Sequence, residues 1–393
     1  MKVLIIHTYY LQSGGEDRVF LEESELLKKH GHEIVHYARS NKEIEKFSFF
    51  KKFRFICREA LWNRKVYEEI RKIVRKERPN VAHVHNIFYV MSPSVYDALK
   101  DEGVPVVQTI HNFRFFAPCA ILFRNGKTCE RCLKKQSWLS ILYGCWRYSR
   151  LSTFFLNRIL AHHQRKRTFL DKIDLYIALT AFAKRKLTEA GLSPEKIAVK
   201  PNFVFSSVPV DTRKKTIFAL YAGRLVEGKG ILTILDAWQG LPGIPLVIIG
   251  DGPLKDKVKA IIDGNDLLHV RYLGWKNKEE TQSLMDQAQT LVIPSLWYEN
   301  FPMAIVESFS RKLPVIGSRI GSMNEIIEHR KTGLLFEPGN VHDLRTQVLW
   351  AWQNPKQMEE MGENAYRCYC ENYDAERNYN ILIKIYERAC RKI

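Results

Sequence analysis

Glu299-Asn300-Phe301-Pro302-Met303-Ala304-Ile305-Val306-Glu307 places two carboxylates eight residues apart around a proline. Proline at the first helical position loses nothing, because its missing N–H would have no intrahelical partner there. The spacing therefore predicts a helix starting at Pro302, with Glu299 in the loop before it and Glu307 on its second turn. The N–H groups near Phe301–Ala304, those of Met303 and Ala304 after the proline included, would then bring donors and a positive dipole end to an anion. Carboxylates at both ends suit hydroxyl groups, so the segment fits a diphosphate between two hydroxyl-bearing rings. A loop and an amphipathic helix with two solvated glutamates would have the same spacing.

Gly223-Arg224-Leu225-Val226-Glu227-Gly228-Lys229-Gly230 follows a strand-like run and opens a helix-like one. Its glycines permit a tight turn, and Arg224 and Lys229 supply a bidentate fork and a point charge, a pair suited to a diphosphate. The GxxxxGK[ST] spacing of a P-loop is absent. Gly250-Asp251-Gly252-Pro253 is a second strand-to-helix turn that allows close approach of a base and ribose, and Gly14-Gly15 is its counterpart after the first strand. His111 ends the run VVQTI, where α/β enzymes place reactive groups, and Asn112 follows it. A structural turn or a hydrogen-bonded core histidine would account for each of these singly.

Short β-branched runs must carry these residues. Val3–His7, Ile34–Tyr37, Val81–His85, Val104–Thr109 and Leu175–Leu179 alternate with helix-length segments such as Arg18–His30 and Val66–Lys76. Phe218–Ala222, Leu246–Ile249, Val270–Leu273, Thr290–Ile293, Pro314–Gly317 and Leu334–Phe336 repeat the pattern, with helices at Gly230–Trp238 and Leu254–Ile262. Buried strands alternating with helices imply βαβ units and parallel sheets. At 393 residues two doubly wound α/β domains are expected. The join falls in Pro201–Thr216, giving domains of 1–205 and 206–374, with a last helix over about 375–393 packing back on the first domain. A cleft between two such domains would hold a ligand at the carboxyl ends of the strands.

Hydrophobic content of 46% and charged content of 26% are those of a globular protein. No run is apolar enough to span a bilayer, and MKVLIIHTYY reads as a strand and not a signal peptide, which predicts a cytoplasmic protein. The net charge of +18 is lopsided: residues 1–200 hold 37 Lys+Arg against 20 Asp+Glu, and the remainder hold 24 against 23. The first half therefore faces an anionic partner or carries a merely solubilising basic surface. Asn41–Arg78 concentrates 13 basic residues with Phe47, Phe49, Phe50, Phe53, Phe55 and Trp62. That mixture fits an interfacial helix on anionic lipid, or equally a core-facing helix with a solvated basic face. Nucleic acid is an unfavoured partner, since no RRM, KH or helix-turn-helix signature accompanies the charge.

Cys119, Cys129, Cys132 and Cys145 lie within 27 residues and include one CxxC. In a cytosolic protein such clustering favours a structural zinc over disulfides, although buried thiols would look alike.

The ordered set of GG loop, His111, Pro201-Asn202, GRL…KG, GDGP, Tyr272–Gly274, the two glutamates and Pro338-Gly339 resembles the retaining nucleotide-sugar glycosyltransferases of family 4. This resemblance implies the GT-B fold of two facing Rossmann-like domains. It also implies transfer of a sugar from a nucleotide-sugar donor to a saccharide acceptor. The charge asymmetry suggests a lipid-linked acceptor at the cytoplasmic membrane face, and that membrane contact alone suggests bacterial surface polysaccharide synthesis. By the resemblance Arg224 and Lys229 hold the donor diphosphate and Glu307 the ribose. Glu299 and His111 face the transferred sugar, with Gly15, Asn202 and residues 300–304 completing the donor site. The chain has no D-x-D element, so Arg224 and Lys229 would replace a catalytic metal, and no cofactor is expected for catalysis. Retention without an enzyme nucleophile means that Glu299 and Glu307 are not a glycosidase acid and nucleophile. A GT-B phosphorylase is the nearest alternative, but no convincing pyridoxal phosphate lysine is apparent.

Overall fold

A computed structural model of the chain describes residues 1–11, 14–134, 136–205 and 218–391, so residues 206–216 of the expected linker lie outside the described residues. The chain divides into two compact units. Met1–Leu122, Cys129–Asn202 and Asn378–Ile393 form the first; Phe123–Thr128 and Phe203–Arg377 form the second. The sequence placed the boundaries at 205/206 and 374/375, with all of 1–205 in one domain. The grouping of Phe123–Thr128 with the second unit had no counterpart in that reading.

The first unit contains β1 (Lys2–Tyr9), β2 (Glu33–Ser40), β3 (Val81–Asn86) and β4 (Val106–Ile110). The chain then forms the antiparallel pair β5 (Phe123–Arg124) and β6 (Lys127–Thr128) before returning to β7 (Leu175–Ala178) and β8 (Ile197–Val199). The first sheet runs β2-β1-β3-β4-β7-β8 and is parallel throughout. Val3–Ile6, Val81, Ala82 and Val84 are fully buried, as strands covered on both faces require.

The second unit contains β9 (Ala219–Ala222), β10 (Leu246–Ile249), β11 (Val270–Tyr272), β12 (Thr290–Ile293), β13 (Val315–Ser318) and β14 (Gly333–Phe336). They order as β11-β10-β9-β12-β13-β14, also parallel, which is the Rossmann order. Leu225, Ile234, Trp238, Ile248 and Phe336 belong to its core. In each sheet the winding reverses beside the first strand, between β1 and β3 and between β9 and β12. In open α/β sheets such a reversal is where ligands bind, at the carboxyl ends of the strands.

The segment Asn41–Arg78 is not one helix. Lys42–Glu45, Phe49–Arg54 and a π-turn at Phe55–Glu59 precede the helix Arg64–Glu77. Phe55 and Ala60 form a small core with Ile159, against which Phe47 packs, while Phe50 is 83% exposed. The aromatic spacing thus serves both a core and a surface. The final helix, Ala375–Cys390, packs within the first unit: Tyr379 stacks on His30 at 3.6 Å, and Asn378 Nδ2 donates to the Pro201 carbonyl.

Candidate active site

In the second unit, β9 leads into Gly223–Gly230 and β12 into the loop that carries Glu299. These loops are tied by the Leu296 N–H, which donates to the Gly228 carbonyl at 2.8 Å. Gly228 lies so close beneath Trp297 that a Cβ there would sit 1.9 Å from the indole. Gly230 is left-handed at φ 70°, and its Cβ would meet the Pro294 carbonyl oxygen at 1.9 Å. Only glycine permits both approaches.

This packing brings Lys229 Nζ to 2.7 Å from Glu299 Oε1. The same carboxylate oxygen accepts from Trp297 Nε1 at 2.7 Å and Ser295 Oγ at 2.8 Å. Burial raises the Glu299 carboxyl, but Lys229 and these two donors outweigh it and hold the group below its ordinary range. Glu299 is therefore an anion oriented by three donors.

Pro302 occupies the cap position with ψ 99°, and the helix is Met303–Phe309. The expected start at Pro302 is therefore one residue early. An extended cap residue already lends its carbonyl to the first turn, and the Ile305 N–H donates to Pro302 at 3.0 Å. Glu307 remains on the second turn, half-buried like Met303 and Ala304, whereas Phe301 and Pro302 are buried. Asn300 is also buried, and neither of its amide atoms finds a hydrogen-bond partner among the described residues. Arg224 is exposed on the loop after β9, with its carbonyl receiving the Tyr221 hydroxyl at 2.9 Å.

In the first unit, Gly15 opens the helix Gly15–Lys29, and the Gly14 N–H donates to Asp17 Oδ2 at 3.1 Å. Asn202 is buried with Oδ1 unpaired among the described residues. His111 follows β4, stacked on His85 with its Nε2 3.0 Å from His85 Nδ1. Burial, reinforced by neighbouring imidazoles and Lys200, holds both rings well below the ordinary histidine range, so both are neutral. Sequence reading singled out His111 but missed His85, His83, Glu23 and Lys200. The pattern VAHVH was the available signal, since alternate strand residues share a sheet face.

The Glu23, His83 and His85 ligand atoms lie within 4.8 Å of one another, as a metal site requires. Lys200 already pairs with Glu23, and His83 bonds Tyr386 OH and Thr109 Oγ1, each at 2.7 Å. This cluster is an internally bonded network. Cys119, Cys129, Cys132 and Cys145 are half-buried cysteines outside any disulfide that form no such close group among the described residues. Burial and the proximity of Cys119, Cys145 and Cys129 nevertheless push the Cys132 thiol up to about 12.

The profile of glycosyl transferases group 1 matches residues 206–368, and that of Glycosyltransferase Family 4 matches residues 13–206. The chain belongs to glycosyltransferase family 4. It is 35% identical over 160 residues to the D-rhamnosyltransferase WbpZ of Pseudomonas aeruginosa, which covers 40% of this chain and 42% of that protein. The chain thus spans under half the length of that relative. The UDP-Gal:alpha-D-GlcNAc-diphosphoundecaprenol alpha-1,3-galactosyltransferase of Escherichia coli is 25% identical over 359 residues, 86% of this chain and 85% of that one. Among solved structures, sucrose-phosphate synthase from Thermosynechococcus elongatus superposes with a TM-score of 0.74 at 16% identity, covering 100% of both chains. The two parallel-sheet units of this family 4 member are those of the GT-B fold.

Proposed function

We propose that this family 4 protein is a retaining, metal-independent hexosyltransferase. It would move a sugar from a nucleotide-sugar donor to a saccharide or lipid-linked saccharide acceptor in bacterial surface polysaccharide synthesis. The observation that carries this reading is the Lys229–Glu299 pair at the carboxyl ends of β9 and β12. In the ligand-free pair each charge occupies the other. A donor replaces this with diphosphate on Lys229 and sugar hydroxyls on Glu299. Arg224 supplies the second diphosphate contact, and Glu307 takes the ribose. The unpaired amide of Asn300 and the peptides of Phe301, Pro302, Met303 and Ala304 provide further polar contacts to the donor. From the family pattern Gly15, Asn202 and His111 are taken as further contacts to the donor, His111 to its sugar. The leaving diphosphate accepts the acceptor's proton, so no protein nucleophile is assigned. The Escherichia coli relative's lipid-linked acceptor supports the same acceptor class here.

Screening UDP-, GDP- and ADP-sugars for hydrolysis and for protection against heat tests the reading. The expected result is protection by one donor class that Lys229→Ala and Glu307→Ala both abolish. Protection by none, or near-wild-type turnover in either variant, would overturn it. Phosphate-dependent cleavage of a glucan without nucleotide would favour a phosphorylase instead.

A further inference from the structure

The groups behind His111 form a line of close polar contacts into the first unit. His85 Nδ1 is 3.0 Å from His111 Nε2, and His85 Nε2 is 3.4 Å from Glu23 Oε2. These last two atoms are buried and neither makes a hydrogen bond among the described residues, so their 3.4 Å approach is one of charge to imidazole, and His83 Nδ1 lies 3.6 Å from the same Glu23 oxygen. Glu23 Oε1 pairs with the buried Lys200 ammonium, which also donates to Asn378 Oδ1 at 2.9 Å on the final helix. His83 lies alongside, with its ring centroid 4.3 Å from that of His85 and its two nitrogens engaged by Tyr386 and Thr109. His7 approaches from β1, its centroid 6.2 Å from that of His85, and its Nε2 is taken by Asp17 at 2.7 Å.

The proton positions follow from the chemistry of this line. Glu23 is an acceptor, so the His85 nitrogen facing it carries the proton. A neutral imidazole has only one N–H, which leaves His85 Nδ1 as an acceptor. His111 must then carry its proton on Nε2 and donate it to His85. Its own Nδ1 is left as a lone pair.

We propose that Glu23 and His85 are positioning residues that lock His111 as the Nε2–H tautomer, so that it meets substrate through an Nδ1 acceptor. This rests on the placement of His111 in the donor site. An acceptor nitrogen takes a hydrogen bond from a sugar hydroxyl and directs a lone pair at carbon that gains positive charge. The opposite tautomer would present an N–H and disfavour that charge. The carboxylate–imidazole pairing that fixes ring and tautomer in other active sites works by the same logic. Lys200 and Asn378 hold the far end of the line, so the final helix helps to set the proton on His111.

Nitrogen-15 NMR of histidine-labelled protein reads the tautomer without any assay of transfer. Wild-type His111 is expected to be neutral with the proton on Nε2. His85→Leu removes the acceptor and should give a mixture of tautomers, while His85→Gln, whose amide oxygen can accept, should restore Nε2–H. Glu23→Gln alone leaves Lys200 buried without a counter-charge, so Glu23→Gln/Lys200→Met is the matched variant, also expected to give a mixture. With an active donor, His85→Leu should lower kcat about tenfold to a hundredfold with little change in donor KM, and His85→Gln should recover most of it. A proton on Nδ1 in the wild type, or a His111 tautomer unchanged in His85→Leu, would overturn the proposal. If no donor is turned over by the wild type, the transferase reading fails while the tautomer measurement still decides this one.

Discussion

Lys229 and Glu299 share one short ion pair, 2.7 Å between Nζ and Oε1, although the sequence suggested a separate ligand group for each. Both side chains are largely buried, 24% and 13% exposed. Lys229→Ala should therefore do two things: remove a diphosphate contact and leave Glu299 short of its strongest donor. Because Trp297 and Ser295 remain, the expected stability loss is about 1–3 kcal/mol, below the full cost of breaking a buried pair. Transfer should fall about a hundredfold or more. Denaturant melts of Lys229→Ala, Glu299→Gln and the double variant would check this, with the two losses expected to be strongly non-additive.

Gly230→Ala is expected to damage the same site without altering any charge. The substitution puts a Cβ at φ 70° and 1.9 Å from the Pro294 carbonyl oxygen. Strain and displacement together should cost about 2–4 kcal/mol, and the loops that seat Lys229 must separate. The melting temperature should drop by several degrees with a matching loss of donor protection. An unchanged melt would mean that the loops do not pack as described.

The strands of both sheets were legible because buried parallel strands are written as short β-branched runs. Val3–His7, Leu246–Ile249 and Thr290–Ile293 fall within or coincide with observed strands. The three-residue edge strand β8 and the helix Arg150–Arg165 were not recognised. In the helix, basic residues masked a stripe of Leu156, Ile159, Leu160 and His163 that is buried. In the site, Lys229 and Glu299 were both singled out, but their pairing depends on how the loops after β9 and β12 meet. The Glu23–His85–His111 line was illegible for a related reason. Adjacent strands and a helix supply its members, and Tyr386 reaches His83 across 303 residues.

Buried histidines should make the fold acid-sensitive. Burial lowers both His83 and His163 to about 4. An unfolded imidazole titrates near 6.5, so between those values the unfolded chain binds protons that the folded chain does not. Stability is thus fully present above about pH 6.5 and falls as the pH drops towards 4, by roughly 3 kcal/mol per histidine at the limit. Melts at stepwise pH would show this slope, and replacing His163 by Asn should flatten part of it. A melting temperature that is constant between pH 7 and 5 would contradict the assignment.

The four half-buried thiols Cys119, Cys129, Cys132 and Cys145 are proposed to hold a structural zinc, which would have to draw them closer, since among the described residues they form no group at ligand distance. Support comes from Cys132, whose proton is held by burial and by the three other thiols around it, an arrangement that a cation would relieve by taking the proton's place. Purified protein should contain about one equivalent of zinc, and a chelator should lower the melting temperature. Less than a tenth of an equivalent would end the idea. Cys132→Ser should lose the metal while leaving Lys229–Glu299 chemistry intact.

Peripheral attachment to an anionic membrane is the last expectation with a surface to test it on. Phe50, Ile56, Trp138, Leu142, Leu151 and Phe154 are all exposed large hydrophobic residues of the first unit. Phe50 and Ile56 lie on Phe49–Arg54 and Phe55–Glu59, Trp138 caps the short helix Leu139–Leu142, and Leu151 and Phe154 lie on Arg150–Arg165. Phe55 and Ala60 meet Ile159 of that last helix, and its Asn157 donates to the Ser137 carbonyl. Lys51, Arg54, Arg58, Arg150 and Arg158 lie on the same elements, and Arg158 and Arg165 line a cleft with Leu61 and His162. Apolar side chains among basic ones are what an interfacial surface needs, and no helix among the described residues is long and apolar enough to cross a membrane. Co-sedimentation with vesicles containing phosphatidylserine should therefore be strong at low salt and weaken as salt screens the charges. Phe50→Ser/Phe154→Ser should weaken binding at every salt concentration, whereas Arg158→Gln/Arg165→Gln should reduce its salt dependence. Failure to bind at low salt, with the protein folded by its melt, would remove the membrane from this protein's setting.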